Sequence, residues 1–546
     1  MRGYALIRKA SGVRFLAGAF FLLVALFVAS QFSFCQAGPV FQPGLAPTPP
    51  MGWASWNHFF CDYTDRTIRD QADALVSSGM RDLGYRYVLI QECIAPQRDA
   101  NGDLVVDAKR FPHGMKDLVG YIHSRGLEAG IYTDIGANTC AGKPFQGSYE
   151  HELQDAQTFA AWGVDLVEMD YCNQPAGVTG RSIYERMAAA IKETGRPMLF
   201  YLCSWGEESP WTWAQGKAQL WRTTGDISLV RNHADWANVV RNFEMNATHS
   251  VFNAPGSWND ADMLEVGNQG LTVAEAQSHF SMWAVSAAPL WAGNNLTGMS
   301  DSIRGIYSNA EAIAIDQDPL GAGPSRIQKH DGGIEVWMKP LGAAGSGVEA
   351  VLLLNLAAAP AEASVQWNDL GLAGNVAVRN LWTHKNLGKF RDGYGTKIPG
   401  HGSVLLKVNG EFLWSKGATY QAEWPGNVRA GDAALIACPQ CNEGYAVSLR
   451  GASHGPGASS LTFTHVGVPR SGRYWISLVY VYDGPQEKNV QLQVNGGRPA
   501  DIHLPAQSAF SPSTKIPVEL IKGDNSIAIG FSGEGGVDVD QLTLTQ

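Results

Sequence analysis

Five aspartates stand just after short apolar runs. Asp134 follows Gly130-Ile-Tyr132, Asp170 follows Leu166-Val-Glu-Met169, Asp226 follows Leu220-Trp-Arg222, and Asp260 and Asp262 lie in Ser257-Trp-Asn-Asp-Ala-Asp-Met263. A single acid at such a position reads as a loop cap. Several converging on one rim read differently, because grouped carboxylates are costly to bury unless they are hydrogen-bonded or do chemistry. Two carboxylates on either side of a glycosidic bond can divide the work of hydrolysis. One attacks or activates water, and the other protonates the departing oxygen. Metal chemistry finds less support. Cys438-Pro-Gln-Cys441 is a lone CxxC, too few ligands for tetrahedral zinc, and is expected to form a local disulfide. With no HExxH and no second CxxC, no catalytic metal or other cofactor is expected.

Acids at successive strand ends converge only if the strands are parallel and close on themselves. Apolar runs at Tyr85–Ile90, Leu127–Tyr132, Val164–Met169, Met198–Leu202 and Pro289–Trp291 alternate with helical stretches such as Thr67–Leu83, Lys116–Arg125, Glu152–Trp162 and Ser182–Thr194. This is the βα repeat of an α/β fold, and its length suits a (β/α)8 TIM barrel over 38–322. A doubly wound sheet is the competing reading, weakened by the lack of GxGxxG opening a helix. Beyond residue 323 the texture becomes all-β. Ile334–Met338, Ala350–Leu354, Ser364–Trp367, Val376–Leu381 and Ser403–Val408 predict an antiparallel β-sandwich domain over 323–412. A further β-sandwich (jelly-roll) is expected over 413–546 from Leu461–His465, Arg473–Tyr482, Val490–Val494, Ser513–Glu519 and Asn525–Phe531.

Arg2, Arg8, Lys9 and Arg14 precede an apolar run from Phe15 to about Ala29, and small residues follow near Ala37. Residues 1–37 read as a secretory signal peptide, so a secreted or periplasmic protein is expected, with a retained anchor as the alternative. Export permits disulfides among the cysteines after Cys35, but spacing alone leaves their pairing open. The net charge of −10 argues against nucleic acid and anionic membranes as partners. The chain also carries 17 tryptophans, a residue type whose ring faces can stack on sugars or simply fill a core.

Longer motifs narrow the reading. Pro49-Pro-Met-Gly-Trp-Ala-Ser-Trp-Asn57, Ala95-Pro-Gln-Arg-Asp99, Arg110-Phe-Pro-His-Gly114, Gly163-Val-Asp165 and Trp258-Asn-Asp-Ala-Asp-Met-Leu264 resemble the α-galactosidase / α-N-acetylgalactosaminidase family of clan D retaining glycosidases, glycoside hydrolase family 27. The likeness runs from Pro49 to Gly321. It implies a retaining exo-glycosidase acting on terminal α-linked galactose in oligo- or polysaccharides. Asp170 would be the nucleophile and Asp226 the general acid/base, about 5–5.5 Å apart as retention requires. The acid needs a raised pKa while the nucleophile stays ionised. The resemblance also places Trp56, Tyr132, Arg222, Asp262 and Met263 around the sugar, pairs Cys61 with Cys93 and Cys140 with Cys172, and leaves Cys203 a free thiol. Tyr420-Gln-Ala-Glu423 and Val537-Asp-Val-Asp540-Gln-Leu542 resemble a family 35/6-type carbohydrate-binding module, which implies a structural calcium at Glu423 and Asp540.

The chain departs from the family where the sugar is read. Gln91 and Glu92 replace two aspartates, Glu168 replaces a lysine two residues before the nucleophile, and Ser204 stands where α-galactosidases commonly place Glu. Residues i and i+2 of a strand share a face, so Glu168 and Asp170 should point together, and one pKa rises unless a cation intervenes. Arg222 or another base could supply that cation, or Glu168 could hold a proton. These changes keep open an isomalto-dextranase-like α-glucan hydrolase or a β-L-arabinopyranosidase of the same family. A catalytically inactive carbohydrate-binding protein is the alternative from another class.

Overall fold

The computed structural model describes residues 44–450, 459–482, 484, 487–531 and 536–546. The expected leader, 1–37, lies outside the described residues. Eight parallel strands form one sheet: β1 (Met51–Ala54), β2 (Tyr87–Ile90), β3 (Glu128–Asp134), β4 (Leu166–Asp170), β5 (Leu199–Cys203), β6 (Leu220–Arg222), β7 (Trp258–Asp260) and β8 (Leu290–Ala292). Their order is β8-β1-β2-β3-β4-β5-β6-β7, and a parallel bridge from Leu264 to Ala292 joins its two ends. Helices between the strands cover the outside, so the strands are buried on both faces and read as nearly continuous apolar runs. Leu89, Leu166, Leu199, Leu220, Trp258 and Trp291 pack together, none more than 1 % exposed. Leu166 lies two residues below Glu168 and four below Asp170, so this cluster plugs the barrel beneath the acids.

The helix Val273–Ser286 is entered through a capping box, Thr272 with Glu275, and is buried on nearly every side. The second domain causes this by packing on the helix's outer face. Ser278 donates to the carbonyl of His401 (2.9 Å), and Trp382 Nε1 donates to Ser281 Oγ (2.9 Å). That domain has a six-stranded antiparallel sheet in the order 325–329, 334–340, 348–355, 403–412, 372–380, 385–390, faced by the pair Ala361–Gln366 and Gly393–Ile398. Lys339, on its second strand, is fully buried and donates to the carbonyl of Ile315 (2.7 Å) at the barrel's last helix.

The last domain packs a five-stranded sheet against a larger one centred on Asp538–Thr545 and Gly472–Tyr482. Trp424 ties it to the barrel by donating to the carbonyl of Asn253 (2.8 Å), and Phe252 meets Tyr445 edge-on at 5.2 Å. The fold class is therefore the one expected, a TIM barrel followed by two β-sandwich domains. No helix among the described residues is long and apolar enough to cross a membrane.

Candidate active site

The carboxyl ends of the barrel strands surround a cavity of about 480 Å³. Asp170 ends β4, and Asp226 lies in the loop four residues beyond β6; both line it. Asp170 is 8 % exposed. Its Oδ2 accepts the Tyr132 hydroxyl (2.8 Å) and its Oδ1 accepts the Tyr171 backbone N–H (2.8 Å). Burial, then the negative charge of Asp226, push its pKa up to about 7, against the donors on its oxygens. This differs from the simple expectation of a low-pKa nucleophile. The physical reason is that Asp170 is buried, and the nearby negative charge of Asp226 adds to the cost of ionising it.

Asp226 is more open, its side chain 34 % exposed. Arg222 Nη2 donates to its Oδ1 (3.1 Å), while Nη1 meets Asp262 Oδ1 (2.9 Å). Arg222 is thus a buried clamp on two acids. Asp262 also accepts the backbone N–H of Ile227 (2.7 Å), which fixes the loop carrying Asp226. Burial pushes Asp262 up to about 7 even with Arg222 opposing.

Trp56, Gln91, Glu92, Tyr132, Glu168 and Met263 also line the cavity. Glu168 and Asp170 face it together, as the strand period requires. Gln91 Nε2 donates to Glu168 Oε2 (2.8 Å), so the hydrogen-bond partner of Glu168 is an amide and not a base. Burial and Asp170 push Glu168 well above the usual carboxylate range, beyond what Gln91 and Arg222 offset. Glu92 accepts the backbone N–H of Ala141 (2.9 Å), and its other oxygen is buried without a partner. Its pKa is raised by burial.

Ser204 is the exception. It is fully buried, its hydroxyl has no hydrogen-bond partner, and it does not reach the cavity. The chain turns sharply after β5, with Trp205 at φ 55° and Gly206 at φ 90°. A Cβ on Gly206 would stand 2.7 Å from the Thr223 carbonyl. The turn delivers Trp205 to the cavity in place of Ser204. Trp205 was missed by sequence reasoning, as was Phe60, which stacks on Trp56 at 4.5 Å and which the i, i+4 spacing could have revealed. Asp134 and Asp260 stay out of the cavity. Asp134 accepts the N–H groups of Gly136 (2.6 Å) and Cys172 (3.1 Å), and Asp260 accepts that of Asp262 (2.8 Å), so both act as caps behind the site.

Disulfides join Cys61 to Cys93, Cys140 to Cys172 and Cys438 to Cys441, and Cys203 is a buried free thiol. The first two pin the loop carrying Glu92 and the loop that follows Asp170. Left-handed backbone recurs at this rim, with Glu92 at φ 61°, Cys93 at φ 56° and Asp262 at φ 95°. Each such residue costs about 1–3 kcal/mol and persists where its surroundings hold it, commonly at functional sites.

Among the described residues, the only cluster of three or more His, Cys, Asp or Glu ligand atoms close enough to share an ion is Asp134, Cys140 and Cys172, and the cysteines are bonded to each other. Glu423 and Asp540 lie in the last domain, away from the cavity. Glu423 is fully buried with neither oxygen partnered, and Asp540 Oδ1 and Gln421 Oε1 are likewise unpartnered. Burial, reinforced by Asp540 and Glu443, pushes Glu423 up to about 8.

A parallel eight-stranded barrel with paired aspartates at its carboxyl mouth and an antiparallel domain behind it defines a glycoside hydrolase of the TIM-barrel class. Comparison with known proteins narrows this. The family model described as alpha galactosidase A matches residues 48–318, and that of the alpha galactosidase C-terminal beta sandwich domain matches 331–408. An alpha-galactosidase of Oryza sativa subsp. japonica is 45% identical over 352 residues, 63% of this chain and 81% of its own. Alpha-galactosidase A of Cellvibrio japonicus is 42% identical, covering 67% of this chain and 93% of its own. The crystal structure of alpha-galactosidase I from Mortierella vinacea superposes with a TM-score of 0.63 at 34% identity, covering 68% of this chain and 98% of that one. The chain belongs to the alpha-galactosidase family. Both family segments end before the last domain begins.

Proposed function

We propose that the chain is an α-galactosidase that removes terminal α-linked galactose from oligo- or polysaccharides with retention, through Asp170 and Asp226. The observation that carries the reading is that these two carboxyls open on one cavity, each held by a different partner. Tyr132 and the Tyr171 N–H stabilise Asp170 as an anion, and Arg222 aims Asp226. In the productive state the pair holds one proton, on Asp226. Asp170 then bonds to the anomeric carbon as the glycosidic C–O bond breaks, and the Asp226 proton goes to the leaving oxygen. Water next gives its proton to Asp226 and its hydroxyl to the anomeric carbon, which frees Asp170. Trp56 and Trp205 offer ring surfaces to the apolar faces of the sugar.

The test is turnover of p-nitrophenyl α-galactoside, α-glucoside and β-L-arabinopyranoside, with the product anomer followed by NMR. The α-galactoside is expected to react with retention and Asp170→Asn to be inactive. Turnover only of the glucoside or the arabinoside would replace the substrate. Wild-type turnover by Asp170→Asn would remove the nucleophile. Sugar binding without any turnover would leave a binding protein.

The last domain is proposed to be a carbohydrate-binding module that holds the enzyme on a polysaccharide and raises the local substrate concentration. The oxygens of Glu423, Asp540 and Gln421 fit calcium, a hard cation that would neutralise the buried acids. Calcium is expected to raise the melting temperature of the full chain, EDTA to lower it, and Glu423→Ala to abolish the difference. The expected leader and the disulfides support export to the periplasm or beyond.

A further inference from the structure

The reading of the site as a retaining glycosidase leaves the buried acid Glu168 without a task. Glu168 lines the cavity, 2 % exposed, on the same strand face as Asp170. The groups facing it are Gln91 from β2, Tyr201 and Cys203 from β5, Arg222 from β6 and Asp260 from β7, with Asp170 on its own strand. Arg222 is the only base among the described residues that line the cavity, and its two Nη groups bond elsewhere, Nη2 to Asp226 and the Thr224 carbonyl and Nη1 to Asp262, while its Nε has no partner. Gln91 is locked as well. Its Oε1 accepts the Trp56 backbone N–H (3.1 Å), which leaves Nε2 as the atom turned to Glu168 Oε2 (2.8 Å).

An ionised Glu168 would therefore place a second buried negative charge beside Asp170, hydrogen-bonded only by a neutral amide and partly offset by an Arg222 that already answers Asp226 and Asp262. We propose that Glu168 works as a neutral carboxylic acid, held by the Gln91 amide, and donates its O–H to a hydroxyl of the sugar in the cavity. The oxygen not taken by Gln91 carries that hydrogen. A neutral neighbour also lets Asp170 be the group that ionises, as its attack requires. A carboxylic acid kept protonated in a low-dielectric site is a known way to place a strong donor. Glu168 is thus a residue that reads the sugar, in partnership with Gln91, and this extends the α-galactosidase reading and rests on it.

Two measurements on the full chain test this. The first is the infrared difference spectrum of wild type minus Glu168→Gln at pH 7, which reports the protonation of this residue whether or not any substrate turns over. A protonated-acid carbonyl band is expected; a carboxylate band in its place would overturn the proposal. The second compares kcat/KM across pH for Glu168→Gln and Glu168→Leu. The leucine variant is expected to lose about ten- to hundredfold, because the hydroxyl of the sugar loses its donor, and glutamine to recover most of that loss. The acid limb set by Asp170 should stay within about a third of a unit in Glu168→Gln, since no charge has been removed. If Glu168 were an anion, its removal would move that limb down by about one unit or more. Equal losses in the two variants would show a packing role only and would also overturn the proposal. Failure of Asp170→Asn to abolish turnover would instead sink the parent reading, with the infrared result unaffected.

Discussion

Replacing Tyr132 by Phe tests the electrostatic logic of the site with one atom. The Tyr132 hydroxyl is buried and donates to Asp170 Oδ2 at 2.8 Å. It can donate to the carboxylate but gains nothing from accepting there, so it favours the ionised form and lowers the pKa of Asp170. Phe keeps the ring and its packing. A hydrogen bond to a charged group contributes about 1.5–3 kcal/mol, and one pKa unit is about 1.4 kcal/mol, so Tyr132→Phe should raise the pKa of Asp170 by about one to two units. Starting from about 7, the ionised nucleophile then becomes scarce at neutral pH. The assay is kcat/KM for p-nitrophenyl α-galactoside across pH, which reports the essential acid and base of the free enzyme. The acid limb should move to higher pH by about one to two units, and well below both limbs the rate should fall about ten- to hundredfold. A limb that stays in place, or moves to lower pH, would refute the claim that this hydroxyl stabilises the attacking carboxylate.

Three further outcomes follow from the same geometry. Asp170→Asn should make the protein more stable above pH 7, since a carboxyl with a folded pKa near 7 contributes stability that is present below its unfolded pKa and lost as pH rises through the folded value. The gain should reach a few kcal/mol at pH 8, at most about 4 from the roughly three-unit difference, and vanish near pH 3; an equal change in melting temperature at both pH values would contradict this. Arg222→Met breaks a pair whose side chains are each 3 % exposed and should cost about 3–5 kcal/mol in denaturant titrations. The loss should be larger at pH 8 than at pH 5, where the stranded Asp262 can take a proton, and a pH-independent loss would argue against a charge effect. A chain lacking residues 1–37 should show no reactive thiol when native and one when unfolded, because Cys203 is buried and its pKa is raised by burial; a fast native reaction would mean that the floor of the cavity opens.

Much of the barrel could be read from the chain because strands buried on both faces leave apolar runs. Glu152–Trp162 is a helix over the span expected, and the run Tyr85–Ile90 differs from β2 only by two leading residues. The shortest strands were harder. β6, β7 and β8 are three residues each; β8 was read as the run Pro289–Trp291, but β6 and β7 were legible only as the approach to Asp226 and as part of the Trp-Asn-Asp motif. In the last domain the run Ser513–Glu519 covers the turn between two strands, Gln507–Pro512 and Ile516–Leu520, and most of the second, because Ser513 turns the chain and accepts the Leu478 N–H through its hydroxyl (3.0 Å). Ser204 misled for a related reason: strand alternation stops at β5, and the left-handed turn at Trp205 and Gly206 sets a new direction that no periodicity carries.

What the chain could not disclose was the neighbour of Glu168. Gln91 and Glu168 are 77 residues apart, one just past the end of β2 and the other on β4, strands that are not hydrogen-bonded neighbours. In a closed eight-stranded barrel, interior layers are built by alternate strands, so the side chains of β2, β4 and β6 meet across the axis while β3 and β5 supply the layers between. Gln91, Glu168 and Arg222 follow that rule. Which residue of each strand reaches a given layer depends on the stagger of the strands around the ring, a property of closure and not of any one segment. Sequence reasoning could thus flag that Glu168 needed an answering group and name Arg222 as one choice. Only the closed ring shows that both Nη groups of the guanidinium go to Asp226 and Asp262 and that an amide makes the hydrogen bond to Glu168.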